Sequence, residues 1–363
     1  MVEHLNGTVG SAGERPMDRT ADGEDEINQW ADQFSAKSRA IQSVVRIPGD
    51  ASARRYYRVT SKEGTTFILM RMEPFDADGL NLPFITVQKH LAHAGIDVPE
   101  ILDVDPGKGF MLLEDLGDVT LLRCLQEVSS ADVERHLYER VLDSLISLQA
   151  HASPGKHQGL KAPKDFNAFK LRFDHEKLMW EMSHTIEHFY DKYLKRTIRD
   201  DDRQLMVDSF SEICQILADQ PTVFTHRDFH SRNVMVKDER LIMIDFQDAR
   251  LGPAQYDLAS LLRDSYYQLE EGQIDKLLDY YMAKWEAVSG ERLDSGEFRR
   301  VFDLMSVQRN FKAIGSFASF LNRRGDAAYL KYIGNTFENI RRTLLKYPRY
   351  ARLREVLFHY YYF

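Results

Sequence analysis

Asp228, Asn233 and Asp245 stand in an order and spacing that could carry phosphoryl transfer. Asn233 directly precedes the apolar run 234–236, and Asp245 directly follows the run 241–244, with the polar turn Lys237-Asp238-Glu239-Arg240 between them. Two short apolar runs about such a turn form an antiparallel hairpin, which sets the start of the first strand beside the end of the second. Asn233 and Asp245 are therefore expected as neighbours. A carboxamide oxygen beside a carboxylate is a hard oxygen pair, suited to Mg²⁺ that keeps phosphates and waters in its other positions. Asp228 lies five residues before Asn233, on the loop entering the hairpin, where it could accept a proton from an attacking hydroxyl. Singly, each of these residues is ordinary in a turn or at a strand end. The three in order around one hairpin are what points to chemistry.

Elements upstream must place this hairpin against a nucleotide. Residues 43–47, 55–60 and 66–72 read as strands broken near Gly49 and Gly64, residues 84–94 as a helix stopped by Gly95, and residues 101–104 and 110–113 as a further strand pair. Beyond Asp115-Leu116-Gly117 the pattern changes to long amphipathic stretches at 131–151, 166–196, 203–219 and 297–322. The expectation is an α+β chain. A small sheet lobe spans 27–113, a connector 114–116, and a larger helical lobe 117–363, preceded by a flexible tail over 1–26. The small-residue turn 49–53 could bring backbone N–H groups, with the Ser52 hydroxyl, to ATP phosphates, or it could be a plain hairpin turn at Gly49.

A length of 363 residues allows two lobes, each with its own core, and 43% hydrophobic with 29% charged residues is the composition of an ordinary globular protein, suggesting neither disorder nor membrane residence overall. No apolar run is long enough to cross a bilayer, and the first 26 residues lack the apolar core of a secretory signal, so a cytoplasmic protein is expected. The two cysteines, Cys124 and Cys214, have no metal-binding or redox spacing and are expected as buried thiols. The net charge is −8, yet from Arg250 onward there are 18 Lys and Arg against 14 Asp and Glu. A mildly basic second half suits a neutral or anionic acceptor better than a polycation.

His226-Arg227-Asp228 with Asn233, followed by Ile244-Asp245-Phe246-Gln247-Asp248, resembles the aminoglycoside phosphotransferase and choline kinase group, small-molecule kinases with a two-lobed protein-kinase-like fold. The continuation through Ala249-Arg250-Leu251-Gly252-Pro253, Tyr256-Asp257-Leu258 and Ser260-Leu261-Leu262-Arg263-Asp264 is most similar to bacterial cell-wall sugar kinases. Those enzymes phosphorylate N-acetylmuramate and N-acetylglucosamine at the anomeric hydroxyl in peptidoglycan recycling. The resemblance, over roughly residues 27–350, implies ATP and Mg²⁺ as cofactors, Asp228 as base, and Asn233 and Asp245 as metal ligands. It implies backbone contacts from Glu114 and Leu116 to adenine. A sugar is then the small-molecule partner, with no nucleic acid or membrane, and the chain a monomer or weak homodimer. An aminoglycoside or other small alcohol as acceptor, and a nucleotide-binding regulator without turnover, are the alternatives.

Two departures from the group's pattern shape the expectations. The third strand offers Arg71 where such kinases usually carry a phosphate-binding Lys, and the helix 84–94 has no Asp or Glu to pair with it. Phosphate contact is then expected from Arg71, Arg54 or Arg55, or from backbone alone. On the acceptor side, Asp248, Arg263 and Asp264 follow the metal ligand and are the polar candidates. Arg309 and Asn310 come after them, and Asp257 is expected as the N-cap of its helix. With Gln247 in place of the Gly of protein kinases, no backbone flip or activation-loop switch is expected.

Overall fold

The computed structural model describes residues 40–48, 54–75, 82–155 and 166–363, together with helical positions at 27, 29–31 and 33–34. Gly49, Ser52 and the amino-terminal tail, for which roles were expected, lie outside the described residues.

Five strands form one antiparallel sheet in the order β1-β2-β3-β5-β4: β1 Ile41–Ile47, β2 Arg55–Ser61, β3 Thr66–Arg71, β4 Ile101–Asp105 and β5 Phe110–Glu114. Alternation along β2, β3 and β5 buries both faces. Tyr57, Val59, Leu69, Phe110 and Leu112 pack with Ile27, Trp30 and Ala31 on one side. Met70, Met111 and Leu113 pack with Phe84, Ile85, Val87 and Leu91 of helix α1 (Pro83–His93) on the other. This alternation overturns the expectation for Arg71. In register Arg71 stands opposite Phe110, on the face of Leu69, and lines a small outer pocket with Arg55 and Lys108. Met70 is the residue that β3 turns inward, and it is fully buried.

The remainder is mainly helical: α2 Leu121–Glu127, α3 Ala131–His151, α4 His175–Thr185, α5 Asp200–Ala218, α6 Gln255–Leu262, α7 Glu271–Ser289, α8 Ser295–Arg324, α9 Ile333–Leu345 and α10 Ala351–Tyr362. Ser130 and Asp294 cap α3 and α8 through their side chains. The amphipathic stretch over 166–196 is not one continuous helix. Phe173 stacks on Tyr256 with ring centres 3.8 Å apart, and Asp174 caps a new helix, α4. That helix widens into a π-helical segment over Ile186–Tyr193, where Leu194 N–H reaches Phe189 O.

Helix α8 runs through the middle of the helical region, packed by α4, α5, α6 and α9. It crosses α4 at Gly315. A β-carbon there would lie 2.7 Å from Thr185 Cα and closer still to its hydroxyl, so only glycine permits this approach. The Thr185 hydroxyl donates to Phe311 O at 3.0 Å, fixing the crossing. Among the described residues no helix is long and apolar enough to cross a membrane. Cys214 is buried, while Cys124 is half-buried, less than expected. The aromatic carboxyl end packs as α10, with Tyr360 donating to Asp202 and Tyr361 stacked on Phe337.

Candidate active site

Two hairpin strands, β6 Val234–Lys237 and β7 Arg240–Met243, pair with Val234 opposite Met243. Asp238 and Glu239 form the turn, both at positive φ, which suits a tight two-residue connection. The pairing continues one step further through the Ile244 N–H to Asn233 O bond, and so sets Asn233 beside Asp245, with Asn233 Nδ2 3.5 Å from Asp245 Oδ2. Asn233 Nδ2 also donates to the Asp228 carbonyl at 2.9 Å. The amide nitrogen is thereby committed to the protein and the amide oxygen is left as the ligand atom. Asp245 takes φ +66°, a left-handed conformation that costs a non-glycine residue energy and is common at functional sites. One amide oxygen and one carboxylate fit Mg²⁺, whose shell would be completed by phosphates and water. Phe246, next in the chain, packs its ring on Phe84 of α1 at 5.0 Å and so ties the aspartate's loop to the sheet region.

Asp228 lies with its side chain 24% exposed to a cleft of about 990 Å³ between the sheet and the helices. Its Oδ1 faces Lys312 Nζ at 3.2 Å and Arg309 at 3.7 Å, while Oδ2 is 3.9 Å from Arg227. Burial alone would raise its pKa; Lys312, then Arg227 and Arg309, outweigh that and hold the carboxyl well below its usual range. The base position is therefore ionised at neutral pH. Burial also draws His230 down to about 3, leaving a neutral imidazole beside it.

Asp257 is not a cap. Helix α6 begins at Gln255, and the buried Asp257 carboxylate accepts the backbone N–H groups of His226 at 2.6 Å and Arg227 at 2.9 Å. It thus anchors the turn in which Arg227 takes φ +82°. Burial pushes its pKa up to about 7, with the two N–H bonds pulling the other way.

The expected acceptor contacts are engaged elsewhere, although all line the cleft. Asp264 accepts Ser231 N–H at 3.0 Å, the Ser231 hydroxyl at 2.5 Å and Tyr266 N–H at 2.9 Å, and so holds the loop between Asp228 and Asn233. Arg263, whose side chain is 1% exposed, forks onto Glu271 at 2.5 and 2.8 Å rather than facing an acceptor. Asp248 pairs with Arg227 at 2.5 Å. Arg309 donates to the Ser260 hydroxyl at 2.7 Å and lies over the Tyr256 ring, and Asn310 bonds within α8 to Ser306 O. Lys312, for which no role was expected, is the side chain nearest the Asp228 carboxylate among its charged neighbours. The sequence signal for it is a stripe at helical spacing, Arg309, Lys312, Ser316 and Phe320, all of which face the cleft.

On the nucleotide side, Ile47, Ile68, Leu113, Leu116, Met235 and Ile244 make an apolar slot in the same cleft. The Glu114 N–H is used by Glu100 O at 2.9 Å, so of its two backbone groups only the carbonyl could meet an adenine edge. Arg58 of β2 bridges to Asp115 and Asp118, both at 2.8 Å, and Lys237 donates to Asp115 O at 2.8 Å. These bonds fasten sheet, connector and hairpin around the slot.

Residues 43–290 match the phosphotransferase enzyme family. A Neisseria meningitidis serogroup B protein named N-acetylmuramate/N-acetylglucosamine kinase is 32% identical over 317 residues, covering 85% of this chain and 89% of its own length. A protein of the same name from Pseudomonas aeruginosa is 32% identical over 346 residues, covering 92% and 95%. Among solved structures, choline kinase from Cryptosporidium parvum superposes with a TM-score of 0.60 at 12% identity, covering 93% of this chain and 99% of that one. The chain therefore belongs to the phosphotransferase enzyme family, and its protein-kinase-like fold is the frame of an ATP-dependent enzyme that phosphorylates a small molecule.

Proposed function

We propose that this enzyme transfers the γ-phosphoryl group of ATP to the anomeric hydroxyl of N-acetylmuramate or N-acetylglucosamine, a cytoplasmic step of peptidoglycan recycling. The observation that carries the transfer itself is Asp228, ionised and open to the cleft, beside the Asn233–Asp245 pair. The Asn233 amide oxygen and the Asp245 carboxylate would hold Mg²⁺, which supplies charge neutralisation across the ATP phosphates when bound. Asp228 Oδ2, the carboxylate oxygen not bonded to Lys312, accepts the acceptor O–H and takes its proton as the new P–O bond forms. An anomeric hydroxyl is more acidic than an ordinary alcohol, so a weakly basic carboxylate is adequate.

The sugar assignment is supported by the names of the two relatives and by the chemistry of the acceptor wall. Arg232, Arg309 and Lys312 line it, a poor lining for a polycationic antibiotic. Arg232 lies over Tyr266 and Tyr329, its guanidinium carbon 4.9 and 5.5 Å from the ring centres. A guanidinium on the cleft wall suits the carboxylate that N-acetylmuramate carries and N-acetylglucosamine lacks.

The test is Mg²⁺-dependent ADP release with N-acetylmuramate, N-acetylglucosamine, glucosamine and kanamycin as separate acceptors, using Asp228→Asn as the blank. Turnover confined to the N-acetyl sugars is the expected result. Turnover with kanamycin alone would reassign the acceptor, and ATP binding with silence on all four would remove the sugar-kinase reading.

A further inference from the structure

We infer that Lys312 is a second catalytic residue, whose ammonium stands beside the acceptor oxygen and meets the phosphoryl group as it arrives. The inference rests on the reading of Asp228 as the base. An acceptor hydroxyl must hydrogen-bond Asp228, and Lys312 Nζ lies 3.2 Å from the same carboxylate on the cleft wall. A group so close to the base is close to the reacting oxygen.

The charge of the transferred phosphoryl also has to be met, and most of the cations that line the cleft have other partners. Strand β3 turns Met70 inward and Arg71 outward. Arg58 is closed on Asp115 and Asp118, Arg227 on Asp248, and Arg263 on Glu271. Arg309 donates to Ser260 and Tyr256 and comes no nearer to Asp228 than 3.7 Å, Arg54 lies over the Phe84 ring, and Arg232 lies over Tyr266 and Tyr329. Lys312 makes one described polar contact, to Asp228, and an ammonium carries three donors. Its side chain is only 16% exposed, so little water competes for the others. Deep burial also lowers its pKa to about 8, with Asp228 opposing; it is protonated at neutral pH yet weakly solvated.

In the transfer, the acceptor O–H bond breaks and its proton passes to Asp228 Oδ2. The acceptor oxygen forms the new bond to phosphorus, and the bond from phosphorus to the β–γ bridging oxygen breaks. ADP leaves with that electron pair. Lys312 changes no bond; it donates to an oxygen of the moving phosphoryl, where a preorganised cation is most effective.

Steady-state kinetics with MgATP and saturating acceptor would test this on the wild type, Lys312→Met, Lys312→Arg, Asp228→Asn and the Asp228→Asn/Lys312→Met double variant. Lys312→Met should lower kcat on the order of a hundredfold, with KM for ATP changed less than about twofold, and Lys312→Arg should recover part of the rate. In the Asp228→Asn background, Lys312→Met should lower the residual rate further. No further loss there would mean that Lys312 acts only by holding Asp228, and would overturn the inference. So would full activity of Lys312→Met alongside an inactive Asp228→Asn. Full activity of Asp228→Asn would instead overturn the base assignment beneath it. The nucleotide-induced rise in melting temperature checks that each variant is folded; if Lys312→Met is not, Lys312→Gln takes its place in the same comparison.

Discussion

The two walls of the cleft are built differently. The nucleotide wall is made of strand ends, the connector and one tight hairpin; of its basic residues, Arg54 lies over the Phe84 ring and Arg58 is already neutralised by Asp115 and Asp118. The acceptor wall is one face of the 30-residue helix α8, which turns Arg309 and Lys312 toward Asp228. Nucleotide recognition thus rests largely on backbone and apolar shape, with Arg54 also lining the cleft, while Arg309 and Lys312 set charge where the phosphoryl group is going. A kinase of this fold can do without a cation on its third strand if the opposite wall supplies one.

Breaking that contrast should cost most at the base. Asp228→Asn should lower kcat about a thousandfold while leaving ATP-induced thermal stabilisation in place, since the carboxylate belongs to the acceptor wall and not to the nucleotide slot. Arg232→Gln should raise KM about tenfold for N-acetylmuramate and leave N-acetylglucosamine unchanged, the loss of one charge-assisted contact. Equal effects on both sugars would place the guanidinium in folding instead of selection.

The acceptor wall should also set the alkaline limit. Lys312, lowered to about 8, is protonated below that pH and neutral above it, and the charged form is the one required. Wild-type kcat/KM should therefore fall about tenfold per pH unit above 8, and in Lys312→Arg the fall should disappear, because guanidinium stays charged there. Gly315→Ala should cost about 1–3 kcal/mol of stability through overpacking against Thr185, read as a melting temperature lowered by several degrees. The smallest effect belongs to the outer face of the sheet: Arg71→Ala should change KM for ATP less than about twofold, and a larger rise would return Arg71 to the phosphates.

The nucleotide wall was the more legible one in the sequence because its geometry is local. The turn between two apolar runs places Asn233 against Asp245 from residues 12 apart, and the period of two in β2 and β3 bounds those strands within one residue. The same period carried the answer for Arg71, since Ile68 and Met70 share one face and Leu69 and Arg71 the other; analogy with a strand lysine hid it. Lys312 was hidden by distance, 84 residues from Asp228, and by burial of α8 on nearly every side. With no solvent face there is little polar contrast to mark the stripe that faces the cleft. Asp257 failed for a related reason: an aspartate ahead of an apolar helical run looks like a cap, and the N–H groups it serves lie some 30 residues earlier.

The crossing of α8 over α4 at Gly315 also makes the two walls unequal in how they can evolve. Fixed there, the helix works as a keyed shaft. One residue inserted between Lys312 and Gly315 would turn Arg309 and Lys312 by about 100° and carry both off Asp228, so length in this segment is locked. Ser316 and Phe320 lie beyond the key on the same cleft face, and exchanging them reshapes the acceptor space without moving either cation. New acceptors can then be acquired by point substitution in the second half of one helix, with the transfer chemistry carried along intact.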